Sequence, residues 1–296
     1  MKKVLATFLN PVKLFKAYRF HKTSPKYDKS KNDTELMLYS KILSKDMLHF
    51  GYFDDINIEA DTISVRDIEN AQVRYSEVMI EQINNKEEFV LDVGCGMGGL
   101  STILLEKGYK VQSLTPNLLQ KRYINQKKPD LKVHNLKFEE LDTTDRFGTI
   151  INSESLQYIN LDEAFKKVDS ILIEGGRWLI TDFFRIEDNT VNKSGHRLED
   201  FMASMKKHGW KVVYEQDITL NSLPTLKVIN FYYKRFLEPL AMFASEKMKY
   251  KQPWLYYLTQ EFQGDISKKA QKELAAVDPE KFVREKKYLF YVLERV

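Results

Sequence analysis

Phe89-Val90-Leu91-Asp92-Val93-Gly94-Cys95-Gly96-Met97-Gly98-Gly99-Leu100 is the stretch that decides the fold. Residues 89–93 form a short, nearly continuous apolar run, the pattern of a parallel strand buried on both faces, and 101–107 then reads as a helix. Between them stand an acid and a corner dense in glycine. Gly94, Gly96 and Gly98 have no Cβ, so the backbone turns sharply there and a ligand can lie against it.

Gly94-x-Gly96-x-x-Gly99 also fits the dinucleotide fingerprint, so the glycines alone do not choose between a nicotinamide cofactor and S-adenosylmethionine. The neighbours do. A dinucleotide site sets a pyrophosphate on the helix N-terminus and takes a ribose-binding acid about 20 residues on. That region here is Ser113-Leu114-Thr115, without an acid. Asp92 would repel a pyrophosphate, whereas it attracts the sulfonium and ammonium of S-adenosylmethionine, directly or through water. A tight turn with no ligand is the bare alternative.

At 296 residues and 43% hydrophobic content the chain is long enough for one large core with appendages. The lone Cys95 excludes an internal disulfide and a four-cysteine metal site, which suits a reducing, cytoplasmic compartment. Its place inside the glycine turn is explained by small size as well as by reactivity. His21, His134 and His208 have no metal-ligand spacing, so no metal is expected. The net charge of +4 is uneven: residues 1–31 carry nine Lys/Arg against Asp28 alone, a balance of +8 that leaves −4 for the rest. With Val4, Leu5, Phe8, Leu9, Val12 and Phe15 at roughly helical spacing, this arm reads as a basic amphipathic segment able to lie on an anionic membrane, or simply to pack on the domain. A signal peptide, a membrane span and nucleic-acid binding are not indicated.

Strands are expected at 89–93, 110–114, 132–136, 148–152, 177–183, 211–217 and 288–293, alternating with helices, one of them opened by Pro116. This implies an α/β fold: a Rossmann-like, mostly parallel seven-stranded sheet with helices on both faces and the ligand crevice at the strands' carboxyl ends. The expected division is an arm (1–31), a cofactor-binding domain (32–219 and 284–296) and a helical cap (220–283). In the cap, Val228, Phe231, Tyr232, Phe236, Leu240, Met242 and Phe243, then Trp254, Tyr256, Tyr257 and Phe262, read as core or as a lid giving an apolar acceptor a dry pocket.

These residues resemble the class I S-adenosylmethionine-dependent methyltransferases. The stretch 91–98 resembles the family's first motif, and 169–180 its later signature, in which a helix ends in paired glycines before the fifth strand. The resemblance implies a reversed last strand. Within the class, the chain is similar to the tocopherol, sterol and cyclopropane fatty acid enzymes. By that likeness Met47 to Phe53 folds over the cofactor, with His49 and Tyr52 lining its pocket, and Asp92, Gly94, Cys95, Gly96, Gly98 and Ser153 belong to the cofactor site. Ser113 stands where a hydroxyl replaces the usual ribose-binding acid, and Phe138 and Glu139 stand in the adenine loop.

Methyl transfer is an in-line displacement, so positioning and exclusion of water can supply most of the catalysis. A base is needed only if the acceptor must lose a proton. Glu154 and Tyr158 are the catalytic candidates after the fourth strand. His196 is another, either a general base or a capping residue. Gln157, Phe231 and Tyr232 are the candidate acceptor contacts. The expected reaction moves a methyl group to an O, N or C atom of a small, partly apolar or lipid-like acceptor. Cyclopropanation or C-methylation of a lipid alkene, and a non-catalytic binding scaffold, are the alternatives.

Overall fold

The computed structural model describes residues 10–24, 38, 41–42, 44–187, 194–276 and 278–296. Parts of the arm, 1–9 and 25–31, and the side chain of Phe262 lie outside that set. The first described helix is α1 (Pro11–Thr23), capped by Asn10, whose side chain accepts from the Val12 and Lys13 amides; it buries none of its residues.

A second helix, α2 (Val65–Ile80), starts at a capping box between Ser64 and Asp67. Then come β1 (Phe89–Val93), α3 (Gly99–Glu106), β2 (Lys110–Leu114), α4 (Leu118–Lys127), β3 (Lys132–His134), β4 (Phe147–Ser153), α5 (Leu161–Ile171) and β5 (Leu172–Arg185). The chain continues through β6 (His196–Arg197), α6 (Leu198–Lys207), β7 (Trp210–Asp217), α7 (Thr219–Tyr232), α8 (Glu238–Lys251), α9 (Pro253–Ala276), α10 (Pro279–Glu285) and β8 (Lys286–Arg295). The sheet runs β3-β2-β1-β4-β5-β8-β7. Its first five strands are parallel, and β8 is antiparallel to both β5 and β7. This is the α/β sheet with a reversed last strand that the sequence led us to expect.

Three differences have local causes. The two-residue β6 is an eighth strand: β5 outruns β4, whose last pair is Ser153 with Thr181, and His196 fills the vacated side opposite Phe184. Pro116 does not open α4; Asn117 caps it, accepting from the Leu119 and Gln120 amides, and the helix begins at Leu118. The paired glycines lie inside β5 rather than at a helix end. There Gly175 takes a φ of 70°, and the pairing with β4 shifts register between Phe147 and Thr149.

Side-chain alternation along the strands sends one core to each sheet face. On one face Ile150, Trp178 and Ile180 pack with α5, which buries Leu161, Ala164, Phe165, Val168 and Ile171 at helical spacing. Phe165 meets Trp178 edge to face at 4.9 Å. On the other face Val90, Ile151 and Leu179 pack with α2 and α3. Both faces are therefore sealed, and the polar crevice is confined to the strand ends. α7 buries residues along its length, whereas α8 buries none.

Candidate active site

The loop after β1 is tied to its neighbour before any ligand is considered. The Gly94 and Cys95 amides both donate to the Leu114 carbonyl, at 2.8 and 3.1 Å, so the turn hangs on the end of β2. Gly94 has a φ of +75°, and a Cβ there would lie 2.4 Å from the Ser155 Cβ. No other residue fits. Ser155 is itself fixed, donating to the Val93 carbonyl at 2.6 Å and accepting from the Asn152 amide, whose oxygen takes the Trp178 indole N–H. Gly98 is the left-handed N-cap of α3. Cys95 is buried, and burial pushes its thiol well up, which keeps it protonated.

Beside this turn is a cavity of about 300 Å³ walled by Val93, Gly94, Leu114, Pro116, Phe138, Glu139, Ser155, Tyr158 and Ile159, with Lys137 at its edge. Phe138 is buried and Tyr158 is exposed at the rim. The structure thus brings Gly94, Phe138, Glu139 and Tyr158 to one apolar slot at the carboxyl ends of the parallel strands.

Asp92 and Ser113 sit elsewhere. They are register partners on β1 and β2, both buried, and both bonded to Ser101 of α3: Ser101 donates to the Asp92 carboxylate, and its oxygen is 2.7 Å from that of Ser113. Burial raises the Asp92 carboxyl to about 6. Neither residue lines the cavity. Just past the end of β2, the Thr115 hydroxyl donates to the Gln120 side-chain oxygen and its amide to the His134 carbonyl.

A second polar centre lies at the ends of β4, β5 and β8, under a roof formed by residues 47–53. Glu154 has the left-handed backbone, φ 49°, rare for a side chain of its kind. One carboxylate oxygen accepts from the Tyr288 hydroxyl at 2.7 Å and from the Phe50 amide at 3.0 Å. Burial still dominates these bonds and raises the carboxyl to about 7. Asp182, bonded by the Gln157 and Phe183 amides, is raised to about 7 by burial and, to a lesser extent, by nearby Glu154. Tyr75 of α2 reaches Ser153 at 3.0 Å. His49 stacks on Tyr75 at 4.1 Å, and burial drives its imidazole down to about 4. Its Nδ1–H donates to the Phe50 carbonyl, leaving a buried Nε2 without a hydrogen-bond partner. The roof also reaches the glycine turn: Leu48 lies 3.4 Å from where a Cβ on Gly96 would sit.

The remaining candidates are dispersed. His196 is half-buried, its Nε2–H directed to the Leu156 carbonyl at 2.9 Å, and Arg197, not His196, occupies the N-cap of α6. The Gln157 amide donates to the Glu154 carbonyl. Tyr52 turns its hydroxyl to Gln216 on β7, away from the glycine turn. Phe231 and Tyr232 sit at the far end of α7 in a ring cluster with Phe236, apart from the cavity. Among the described residues no cluster of three or more His, Cys, Asp or Glu is arranged to hold a metal ion.

Comparison with known proteins decides the family. Residues 16–265 match the family model described as mycolic acid cyclopropane synthetase. The chain belongs to this family. An uncharacterized methyltransferase of Alkaliphilus oremlandii is 27% identical over 149 residues, covering 47% of this chain and 68% of that protein. The cyclopropane synthase MmaA2 of Mycobacterium tuberculosis superposes with a TM-score of 0.62 at 12% identity, over 86% of this chain and 93% of that one. The geranyl diphosphate C-methyltransferase of Streptomyces coelicolor A3(2), solved with Mg2+, geranyl diphosphate and S-adenosylhomocysteine, superposes with a TM-score of 0.61 at 13% identity, over 92% and 100%. This member of the cyclopropane synthetase family is an S-adenosylmethionine-dependent methyltransferase.

Sequence reading missed Tyr75, Tyr288, Asp182, Ser155 and Thr115. One signal was available: Asp182 is an acid inside the apolar strand Trp178 to Phe184, and a charge there needs partners. Tyr75 and Tyr288 have the spacing of core residues and carry no such mark.

Proposed function

We propose that this methyltransferase acts on an O, N or C atom of a small, partly apolar or lipid-like acceptor. The observation that carries the reading is the adjacency of two differently built centres. One is a slot with apolar walls for the donor, and the other is a buried acid beneath a hydrophobic roof. The slot suits the donor because Phe138 offers a flat apolar wall and Glu139 a polar group beside it, while Gly94, packed on Ser155, holds the turn close against the cavity. Asp92 and Ser113 support the loop from below through Ser101.

When bound, S-adenosylmethionine supplies an electrophilic methyl group on a sulfonium. The protein's own part is to position the acceptor, exclude water and handle a proton. Phe50, packed against Phe183, Phe282 and Tyr288, closes the roof with aromatic surface. Glu154, with a carboxyl near neutrality, is matched to taking a proton from an acceptor at physiological pH. His196, with its Nε2–H committed to Leu156, offers Nδ1 as the second candidate base. Tyr158, at the rim of the slot, remains a proposed catalytic residue, and Gln157, Phe231 and Tyr232 remain proposed contacts on the acceptor side. The arm is proposed as a peripheral membrane contact, since α1 exposes Val12, Phe15 and Phe20 beside Lys16 and Arg19.

A second reading, methylenation of an alkene to a cyclopropane, draws on the family and on the superposition with a cyclopropane synthase. One experiment separates these readings from a non-catalytic scaffold. The protein is incubated with a lipid and metabolite extract and donor labelled in all three methyl hydrogens. A product keeping all three deuterons is methylated; one keeping two has lost a deuteron from the transferred methyl, and its NMR spectrum distinguishes a cyclopropane from an exocyclic methylene. Tight donor binding with no S-adenosylhomocysteine formed from any acceptor refutes catalysis. Donor binding unaltered in Phe138→Ala and in Gly94→Trp refutes the slot.

A further inference from the structure

We infer that the α8 face of the α8–α9 hairpin is a docking surface for an anionic lipid bilayer. The inference rests on surface chemistry and does not depend on methyl transfer.

α8 buries none of its residues, yet Leu240 is 62%, Phe243 62% and Tyr250 78% exposed. Leu240, Phe243, Lys247 and Tyr250 follow one another at intervals of three, four and three residues, so they share one face of the helix. α9 adds exposed Tyr257 and Leu258. Scattered apolar residues are ordinary at a surface, whereas a helical stripe of them signals a partner.

Charge selects the partner. Residues 233–251 contain five Lys/Arg and two Glu. Two cations lie on this face among the apolar groups: the Lys247 ammonium is 5.2 Å from the Phe243 ring centroid, and Lys251, four residues on, is exposed beside it. Lys249 lies off this face and is ion-paired with Glu246 at 3.6 Å. Pairing this face with a second copy would set lysines against lysines, and an apolar protein groove would strip their water without compensation. An anionic leaflet meets both demands, with phosphates at the level of the ammonium groups and acyl boundary beneath Leu240 and Phe243. Among the described residues no helix is long and apolar enough to cross a membrane, so the hairpin lies on the surface. α7, which leads into α8 through the π turn Tyr233–Leu237, is bonded to the roof, where the Phe53 amide donates to Asn221 and that of Gly51 to Thr225.

Flotation of the full chain with phosphatidylcholine vesicles, with and without about 30% phosphatidylglycerol, tests this. Binding is expected to the anionic vesicles only and to weaken about tenfold at high salt. Leu240→Glu with Phe243→Glu, and separately Lys247→Glu with Lys251→Glu, should each weaken it about tenfold while melting temperature and donor affinity stay unchanged. A Lys13→Glu, Lys16→Glu variant of α1 serves as the comparison. Absence of binding overturns the inference, as does loss confined to the α1 variant. So does concentration-dependent dimerisation that the α8 substitutions abolish. Because no turnover is measured, failure here leaves the acceptor reading standing, and failure to find an acceptor leaves the vesicle result standing.

Discussion

Glu154→Gln should stabilise the protein increasingly as the solution becomes alkaline. Burial holds the Glu154 carboxyl at about 7 against an ordinary value of 4.5, so the folded chain binds its proton more tightly than the unfolded one. A raised carboxyl contributes stability that is fully present below about 4.5 and is lost as pH rises through about 7. Taken between pH 5 and pH 8, the linkage amounts to about 2.5 kcal/mol. Glutamine keeps an oxygen to accept from the Tyr288 hydroxyl and Phe50 amide but carries no titrating proton. The gap in unfolding free energy between variant and wild type should therefore widen by about 2.5 kcal/mol over that range, a melting shift of about 4 °C at about 2.1 cal/mol/K per residue. Urea denaturation of both chains at several pH values measures it. Asp92 and Asp182 are common to both and largely cancel in the difference. A gap that stays flat within about 0.5 kcal/mol, or narrows as pH rises, refutes the reasoning.

His49 should show the opposite sign. Its imidazole is driven down to about 4, so its contribution is present above about 6.5 and lost as pH falls toward 4, and His49→Phe should flatten that acid limb in denaturation curves; an unchanged limb counts against it. Gly94→Ala places a methyl 2.4 Å from Ser155 at a positive φ, costing about 1–3 kcal/mol and lowering donor affinity at least about tenfold by calorimetry; equal affinity would show that the turn is not the donor's seat. Ser155→Ala removes the donor to the Val93 carbonyl and the acceptor for the Asn152 amide, and should cost about 1–3 kcal/mol in thermal or urea unfolding. An effect under about 0.5 kcal/mol would show that water or a shift of Asn152 replaces those bonds.

The parts of the fold that are local were readable. The strands Phe89–Val93 and Lys110–Leu114 have the expected ends because apolar runs stop at turn residues on both sides. The strand expected from 177 starts instead at Leu172, since glycines that normally punctuate a turn are carried here inside an irregular strand. The glycine turn beside the proposed slot was readable for the same reason: glycines at a strand end constrain backbone within a few residues. The second centre was not. Phe50, Tyr75, Glu154 and Tyr288 come from four segments that tertiary packing alone unites, with 134 positions separating Glu154 from its tyrosine donor. No spacing encodes that meeting. Ser113 shows the limit within a motif, because strand alternation turned its hydroxyl inward to Ser101.

β8 lies between β5 and β7 although it follows both in the chain. During synthesis β5 and β7 must each wait with an open flank until residues 286–295 leave the ribosome, and the acid at 154 lacks its phenol for as long. A chain cut short before that point presents two sticky borders to its neighbours rather than a merely incomplete enzyme.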